Sequence, residues 1–70
     1  MNIAKEERAM KNLKQYRKAS DLSQKQLAEL LEVDQSYISR LENNKVDCLL
    51  SFAVKASNVL KTDLYKLVQK

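Results

Sequence analysis

A short run of polar side chains between residues 35 and 43 has the residue types that form specific hydrogen bonds. If Ile38 and Leu41 face inward on a helix, a step of about 100° per residue leaves an outward face of Gln35, Ser36, Ser39, Arg40 and Asn43. Carboxamide, guanidinium and hydroxyl groups of this kind bind base edges in duplex DNA. The window from 35 to 41 also has no Glu to repel phosphates. We therefore predict base recognition by Gln35, Ser36 and Arg40; the alternative is an ordinary solvated face, although such faces favour Lys and Glu.

The sequence lacks the residues that most other kinds of functional site require. The chain has 70 residues, one Cys and no His, so neither a zinc site, a disulfide framework nor a His-dependent triad can be assembled within it. A chain of this length buries only about 60% of its unfolded surface, which leaves little core from which to cut a catalytic cleft. We expect no enzyme, no catalytic residue, no metal and no cofactor.

The charge balance points toward a polyanion. Lys and Arg number 13 against 9 Asp and Glu, a formal net charge of +4. Many proteins carry such an excess without binding nucleic acid, so the charge alone decides little. No apolar run is long enough for a membrane span, and the first residues carry charges where a signal peptide is apolar. We expect a cytoplasmic protein with no membrane partner.

The composition predicts an all-α fold in one domain, residues 1–70. Good helix formers fill most positions, and there is no Gly or Pro to form a linker. A first helix of about residues 3–19 follows from the apolar stripe Ile3, Met10, Leu13 and Tyr16. Basic residues recur at every third position of this helix: Lys5, Arg8, Lys11, Lys14 and Arg17. Because three residues advance about 300° around a helix, these side chains spread around it and do not form a patch.

Two short helices follow, separated by three residues. Ser23 and Gln26 have the spacing of a capping box, ahead of a helix of about 24–31 that buries leucines. Asp34 is the cap candidate for a helix of about 35–42. The intervening residues 32–34 suit the turn of a helix-turn-helix. A fourth helix is predicted at about 49–60, and a fifth after Asp63.

The residues at this centre resemble the Cro/CI-type (XRE family) helix-turn-helix repressors. The resemblance rests on LSQKQLA from Leu22 to Ala28, on SYISRLENNK from Ser36 to Lys45, and on the family's Arg at position 17. It runs without a gap from about Leu13 to Leu67. It implies a five-helix, lambda-repressor-like domain that binds a double-stranded DNA operator as a homodimer and represses transcription, with no small-molecule ligand. The alternative is a protein-interaction module of the same fold, such as an antitoxin or anti-repressor partner.

The resemblance also implies contacts to the DNA backbone. It places Gln24 at a phosphate, where the alternative is an ordinary solvated side chain, and it places Asn43 and Lys45 at phosphates as well. Tyr37 has two interpretations: its hydroxyl contacts a phosphate, or its ring covers the junction of the second and third helices.

Arg17 and Glu42 are expected, by the same resemblance, to form a partly buried structural ion pair. The sequence departs from the family's frequent glycines at four positions: Asp21, Glu32, Asn44 and Lys61. We expect these residues to close helices in the left-handed region.

Cys48 and a group of apolar residues lie near the predicted fourth and fifth helices. Cys48, where the family often has Pro, is expected to cap or fill the start of the fourth helix. The C-terminal apolar residues are either core or part of a two-fold dimer contact: Leu64, Tyr65 and Val68, with Leu49 and Leu50.

Overall fold

The computed structural model describes residues 7–68, which form five helices and one short strand pair. The helices are α1 (Leu13–Ala19), α2 (Gln24–Leu31), α3 (Gln35–Glu42), α4 (Leu50–Leu60) and α5 (Leu64–Val68). The strands β1 (Glu7–Arg8) and β2 (Cys48–Leu49) pair antiparallel, with Glu7 opposite Leu49 and Arg8 opposite Cys48. The predicted five-helix fold is confirmed, with this strand pair as an addition.

The prediction for the first helix is wrong for residues 7–12. The helix begins at Leu13, while Glu7 and Arg8 are extended and paired with β2. Met10 is buried, as its apolar character suggested, but it lies before the helix. Of the basic series, only Lys14 and Arg17 lie on α1, and Lys5, like Ile3, falls outside the described residues. Pairing with a strand 40 positions away overrode the local helical pattern.

The two central helices have the predicted bounds. The Ser23 hydroxyl accepts a 3.0 Å hydrogen bond from the Gln26 amide, and the Gln26 side chain accepts a 2.8 Å bond from the Ser23 amide. This capping box fixes the start of α2. Asp34 precedes α3 in an extended conformation, but its side chain makes no capping hydrogen bond.

The first four helices end through left-handed residues, as predicted from the missing glycines. The φ angles are 58° at Asp21, 60° at Glu32, 57° at Asn44 and 53° at Lys61. After α2, the Val33 amide donates to the Ala28 carbonyl at 3.0 Å, which closes the turn into α3. The cost of a left-handed side chain is on the order of 1 kcal/mol at each non-Gly site, and least for Asn and Asp.

One core joins all five helices. Its fully buried members include Leu13, Leu27, Ile38, Ala53 and Leu67, one from each helix. Cys48 is also buried and fills the space where β2 leads into α4. Within residues 7–68, no helix is long and apolar enough to cross a membrane.

Candidate nucleic-acid interface

The outward face of α3 is available to a ligand. Ile38 and Leu41 are fully buried, which fixes the rotation of the helix against the core. Gln35, Ser36 and Arg40 are exposed on the opposite side. The structure therefore brings the three predicted base-recognition residues to one surface, which carries two neutral hydrogen-bonding groups and one cation.

Tyr37 lies beside this face and is half-buried. Its ring packs against Phe52 of α4, with ring centroids 5.4 Å apart and an interplanar angle of 73°. The aromatic neighbour of the ring thus belongs to α4, and both interpretations of Tyr37, a phosphate contact and a cover for the junction of α2 and α3, stay predictions. Burial, with a smaller effect of the Cys48 thiol, raises the pKa of the Tyr37 phenol, and the Arg40 charge opposes the shift. The hydroxyl stays protonated at neutral pH and can donate a hydrogen bond.

A buried carboxylate connects both helices of the helix-turn-helix to α1. Arg17 Nε donates to Glu42 Oε2 at 2.6 Å, and Arg17 Nη2 donates to Glu42 Oε1 at 3.1 Å. The side chains of Arg17 and Glu42 are 9% and 1% exposed. Arg17 Nη1 also donates to the Leu22 carbonyl at 2.7 Å, in the loop before α2. The guanidinium therefore holds the end of α3, the loop and α1 in one arrangement.

Gln24 is part of the same cluster. Its Nε2 donates to Glu42 Oε1 at 3.0 Å, which links the first residue of α2 to the last residue of α3. The sequence interpretation placed Gln24 at a phosphate and did not foresee this internal partner. The two residues are 18 positions apart, and no local pattern indicates that they meet.

The segment after α3 presents exposed polar groups. Asn43, Asn44 and Lys45 are all exposed, and the left-handed Asn44 lets the Lys45 amide donate to the Arg40 carbonyl at 2.9 Å. The Asn43 side chain donates to the Ser39 hydroxyl at 3.4 Å, a weak contact. This tight turn keeps Asn43 and Lys45 next to the C-terminal end of the exposed α3 face.

The exposed charges on the α3 face and the turn after it favour an anion, while the exposed Asp34 lies just before α3. The acidic side chain that ends α3, Glu42, is buried against Arg17, so its charge is neutralised inside the protein. The exposed charges of α3 and the following turn are those of Arg40 and Lys45. Among residues 7–68, no group of three or more His, Cys, Asp or Glu side chains could hold a metal ion.

Solved structures share this fold and part of the sequence. SinR, the master regulator for biofilm formation, in its complex with DNA, is 36% identical with a TM-score of 0.76, over 83% of this chain and 94% of that chain. The N-terminal DNA-binding domain of SinR from Bacillus subtilis is 35% identical with a TM-score of 0.75, over 84% and 87%. A SinR–SinI protein complex is 33% identical with a TM-score of 0.78; the match covers 89% of this chain but only 61% of that chain.

Sequence comparisons give the family. No curated protein sequence matches this chain significantly. A helix-turn-helix family model matches residues 13–67, from the start of α1 into α5. That match covers most of the chain and includes α2, α3 and the turn between them. The chain belongs to the XRE-type family of helix-turn-helix DNA-binding transcription regulators.

Proposed function

We propose that this protein recognises a specific sequence in double-stranded DNA, and represses transcription there, through the exposed face of α3. One observation carries the proposal: Gln35, Ser36 and Arg40 are exposed on the side of α3 opposite the buried Ile38 and Leu41. A helix that presents carboxamide, hydroxyl and guanidinium groups can form hydrogen bonds with base edges in the major groove. The chemistry is binding without turnover.

Flanking residues hold the DNA backbone in this proposal. Gln24 lies at the start of α2, and Asn43 and Lys45 lie just beyond α3, so that they flank the α3 face. Contacts to phosphates fix the register and orientation of a protein on DNA without reading the sequence. The protonated Tyr37 hydroxyl is a further phosphate donor beside the face.

A homodimer on a two-fold operator completes the proposal. Two α3 helices about 34 Å apart, one turn of DNA, would read two half-sites on one side of the duplex. We place the dimer contact at or near α5, where Tyr65 is 77% exposed although it is aromatic. Residues 1–70 act as one domain in this scheme, and the cytoplasm is the compartment that we propose.

The second candidate function is a protein-interaction module, and the SinR–SinI complex shows that a similar protein assembles with another protein. The α3 surface does not favour it here. Protein-binding surfaces are enriched in aromatic residues and depleted of charge at their centres, whereas the outward face of α3 is polar and carries Arg40. We therefore favour DNA as the partner of this face.

Selection of bound duplexes from a random DNA pool tests the proposal. The wild-type protein should enrich a palindromic sequence from the pool. The Arg40→Ala variant should enrich the same palindrome less strongly. Lys14→Ala, at an exposed position on α1, serves as the matched loss of one positive charge. A folded wild-type protein that enriches no sequence would overturn the proposal and favour the interaction module.

A further inference from the structure

Glu42 accepts hydrogen bonds from two different side chains, and this suggests a role beyond its ion pair. Its carboxylate is almost fully buried, and Arg17 alone contacts both of its oxygens. Gln24 Nε2 nevertheless donates a further bond, to Oε1, at 3.0 Å. A carboxylate has lone pairs for several donors, so both contacts can exist together.

The bond to Glu42 leaves half of the Gln24 donor capacity unused. A carboxamide nitrogen carries two hydrogens, and the bond to Oε1 uses one of them. Gln24 is half-buried, so part of its side chain remains accessible from solvent. One hydrogen bond to a fixed buried group restricts the rotamers of a long, flexible side chain, and a later contact then costs less conformational entropy.

We propose that Glu42 is a positioning residue that orients the Gln24 carboxamide, so that its second N–H faces a DNA phosphate. This inference rests on the DNA-binding function proposed for the α3 surface. Arg17 makes the arrangement compatible with a polyanion, because its charge neutralises the carboxylate that lies one hydrogen bond behind the contact. The internal bond of Gln24 therefore prepares its phosphate contact and does not compete with it.

The first test examines the bond in the free protein by NMR of the side-chain NH2 groups. One proton of Gln24 should exchange more slowly with water and resonate downfield of the protons of Gln15, which is exposed on α1. Both differences should decrease in Glu42→Asp, whose shorter side chain keeps the negative charge opposite Arg17 but withdraws the carboxylate from Gln24, with Glu42→Gln as the substitute if that variant does not fold. Identical behaviour of Gln24 and Gln15 in wild-type protein would show that the internal bond does not form.

The second test is a double-mutant cycle on binding to the selected duplex, with folding checked by thermal melting. Gln24→Ala should lower affinity about five-fold, the size expected for one hydrogen bond. Its salt dependence should stay unchanged, because a neutral donor releases no counterion. Glu42→Asp, which leaves the net charge unchanged, should lower affinity by a similar factor alone and by little more in the Q24A background.

The outcomes separate this inference from the proposed function. If the wild type binds the duplex and the two substitutions act additively, Glu42 does not work through Gln24, and only the positioning role is overturned. If the folded wild type binds no duplex with sequence preference, the proposed function fails, and the phosphate contact of Gln24 fails with it.

Discussion

The Tyr37 ring meets the Phe52 ring edge-on, with centroids 5.4 Å apart and planes inclined by 73°. This contact joins α3 to α4, a helix outside the helix-turn-helix itself. Aromatic pairs in this geometry contribute about 0.5–1.5 kcal/mol beyond the area that they bury. The ring therefore has a structural role, while its protonated hydroxyl is a separate group that a phosphate could use.

Two substitutions separate these roles of Tyr37. Tyr37→Phe keeps the ring and should change the free energy of unfolding by less than about 1 kcal/mol, while it lowers affinity for all duplexes about five-fold. Tyr37→Leu should lower the free energy of unfolding in addition to the DNA affinity, because it removes the edge-on contact with Phe52 together with the hydroxyl. Thermal melting and binding titrations measure the two effects. Unchanged DNA affinity in Tyr37→Phe would mean that the packing of the ring is the whole role of this residue.

Cys48 should make the stability of the protein depend on alkaline pH. Burial raises the pKa of its thiol from 9.0 to about 11, so the folded state holds its proton more tightly than the unfolded chain. The stability that this difference in proton affinity contributes is fully present below pH 9. The free energy of unfolding should fall by roughly 2–3 kcal/mol as the pH rises from about 9 to 11.

Urea unfolding at several pH values measures this contribution against Cys48→Ala. The variant should be less stable near neutral pH, because a buried group is removed, so the informative quantity is the slope of stability with pH. The difference between the two proteins should shrink above pH 9. Parallel curves from pH 8 to pH 11 would show that the thiol ionises equally in both states.

Local sequence signals predicted the local features of the fold well, whereas the long-range contacts were missed, apart from the pair of Arg17 and Glu42, which the family resemblance implied. The bounds of α2 and α3 followed from signals within a few residues of each end, such as the capping box of Ser23 and Gln26. The left-handed φ values of Asp21 and Asn44 followed from resemblance and from the conformations that Asp and Asn tolerate. Each of these signals is carried by the segment that it describes.

The strand pair, in contrast, has no local signal. Glu7 and Arg8 lie in a stretch whose apolar spacing suits a helix, and only pairing with Cys48 and Leu49 makes them extended. The candidate site shows the same division. Exposure of Arg40 on α3 could be predicted from helical periodicity, whereas the bond from Gln24 to a carboxylate 18 residues away depends on how two helices cross.

Replacing the left-handed residues by glycine should relieve strain. Glu32 and Lys61 have φ angles of 60° and 53°, and a long side chain at such angles costs on the order of 1 kcal/mol. Glu32→Gly and Lys61→Gly should raise stability modestly or leave it unchanged, because the extra entropy that Gly has in the unfolded chain offsets part of the gain. Glu32 should gain less than Lys61, since it also lies 3.6 Å from the Lys55 ammonium.

Asn44→Gly is the matched control for these variants, because Asn tolerates its φ of 57° better than Glu or Lys tolerates such angles. Thermal melting of all three variants should rank the Asn44 substitution as the least favourable. A loss above about 1 kcal/mol in Glu32→Gly would show that Glu32 is not strained in the turn.

Arg17 should behave as a folding residue. Arg17→Met removes the partner of a carboxylate that is 1% exposed, and leaving such a charge unpaired costs about 3–5 kcal/mol. Lys14→Met changes the same net charge at an exposed position of α1 and should cost less than about 0.5 kcal/mol. Denaturant unfolding compares them. Equal stability of the two variants would contradict a structural role for the pair of Arg17 and Glu42.

The α3 surface should divide into residues that recognise bases and residues that hold phosphates. Arg40 lies four residues after Ser36 and is exposed on the same side of α3, so it can reach a base pair close to the one that Ser36 reaches. Its guanidinium fits the two acceptors of guanine. Lys45 is exposed beyond the end of α3, where the turn through Asn44 holds it at the edge of the face.

Arg40→Ala and Lys45→Ala should therefore fail in different ways, although each removes one positive charge. Arg40→Ala should lose about 1–3 kcal/mol on the selected operator and relax the preference at one symmetric pair of positions, with a smaller loss on random DNA. Lys45→Ala should weaken all duplexes alike and reduce the slope of the salt dependence by about one. Titrations over operator variants and salt concentrations measure both. If Arg40→Ala weakens operator and random DNA equally, Arg40 contacts only phosphate, and α3 loses the main support for its role in base recognition.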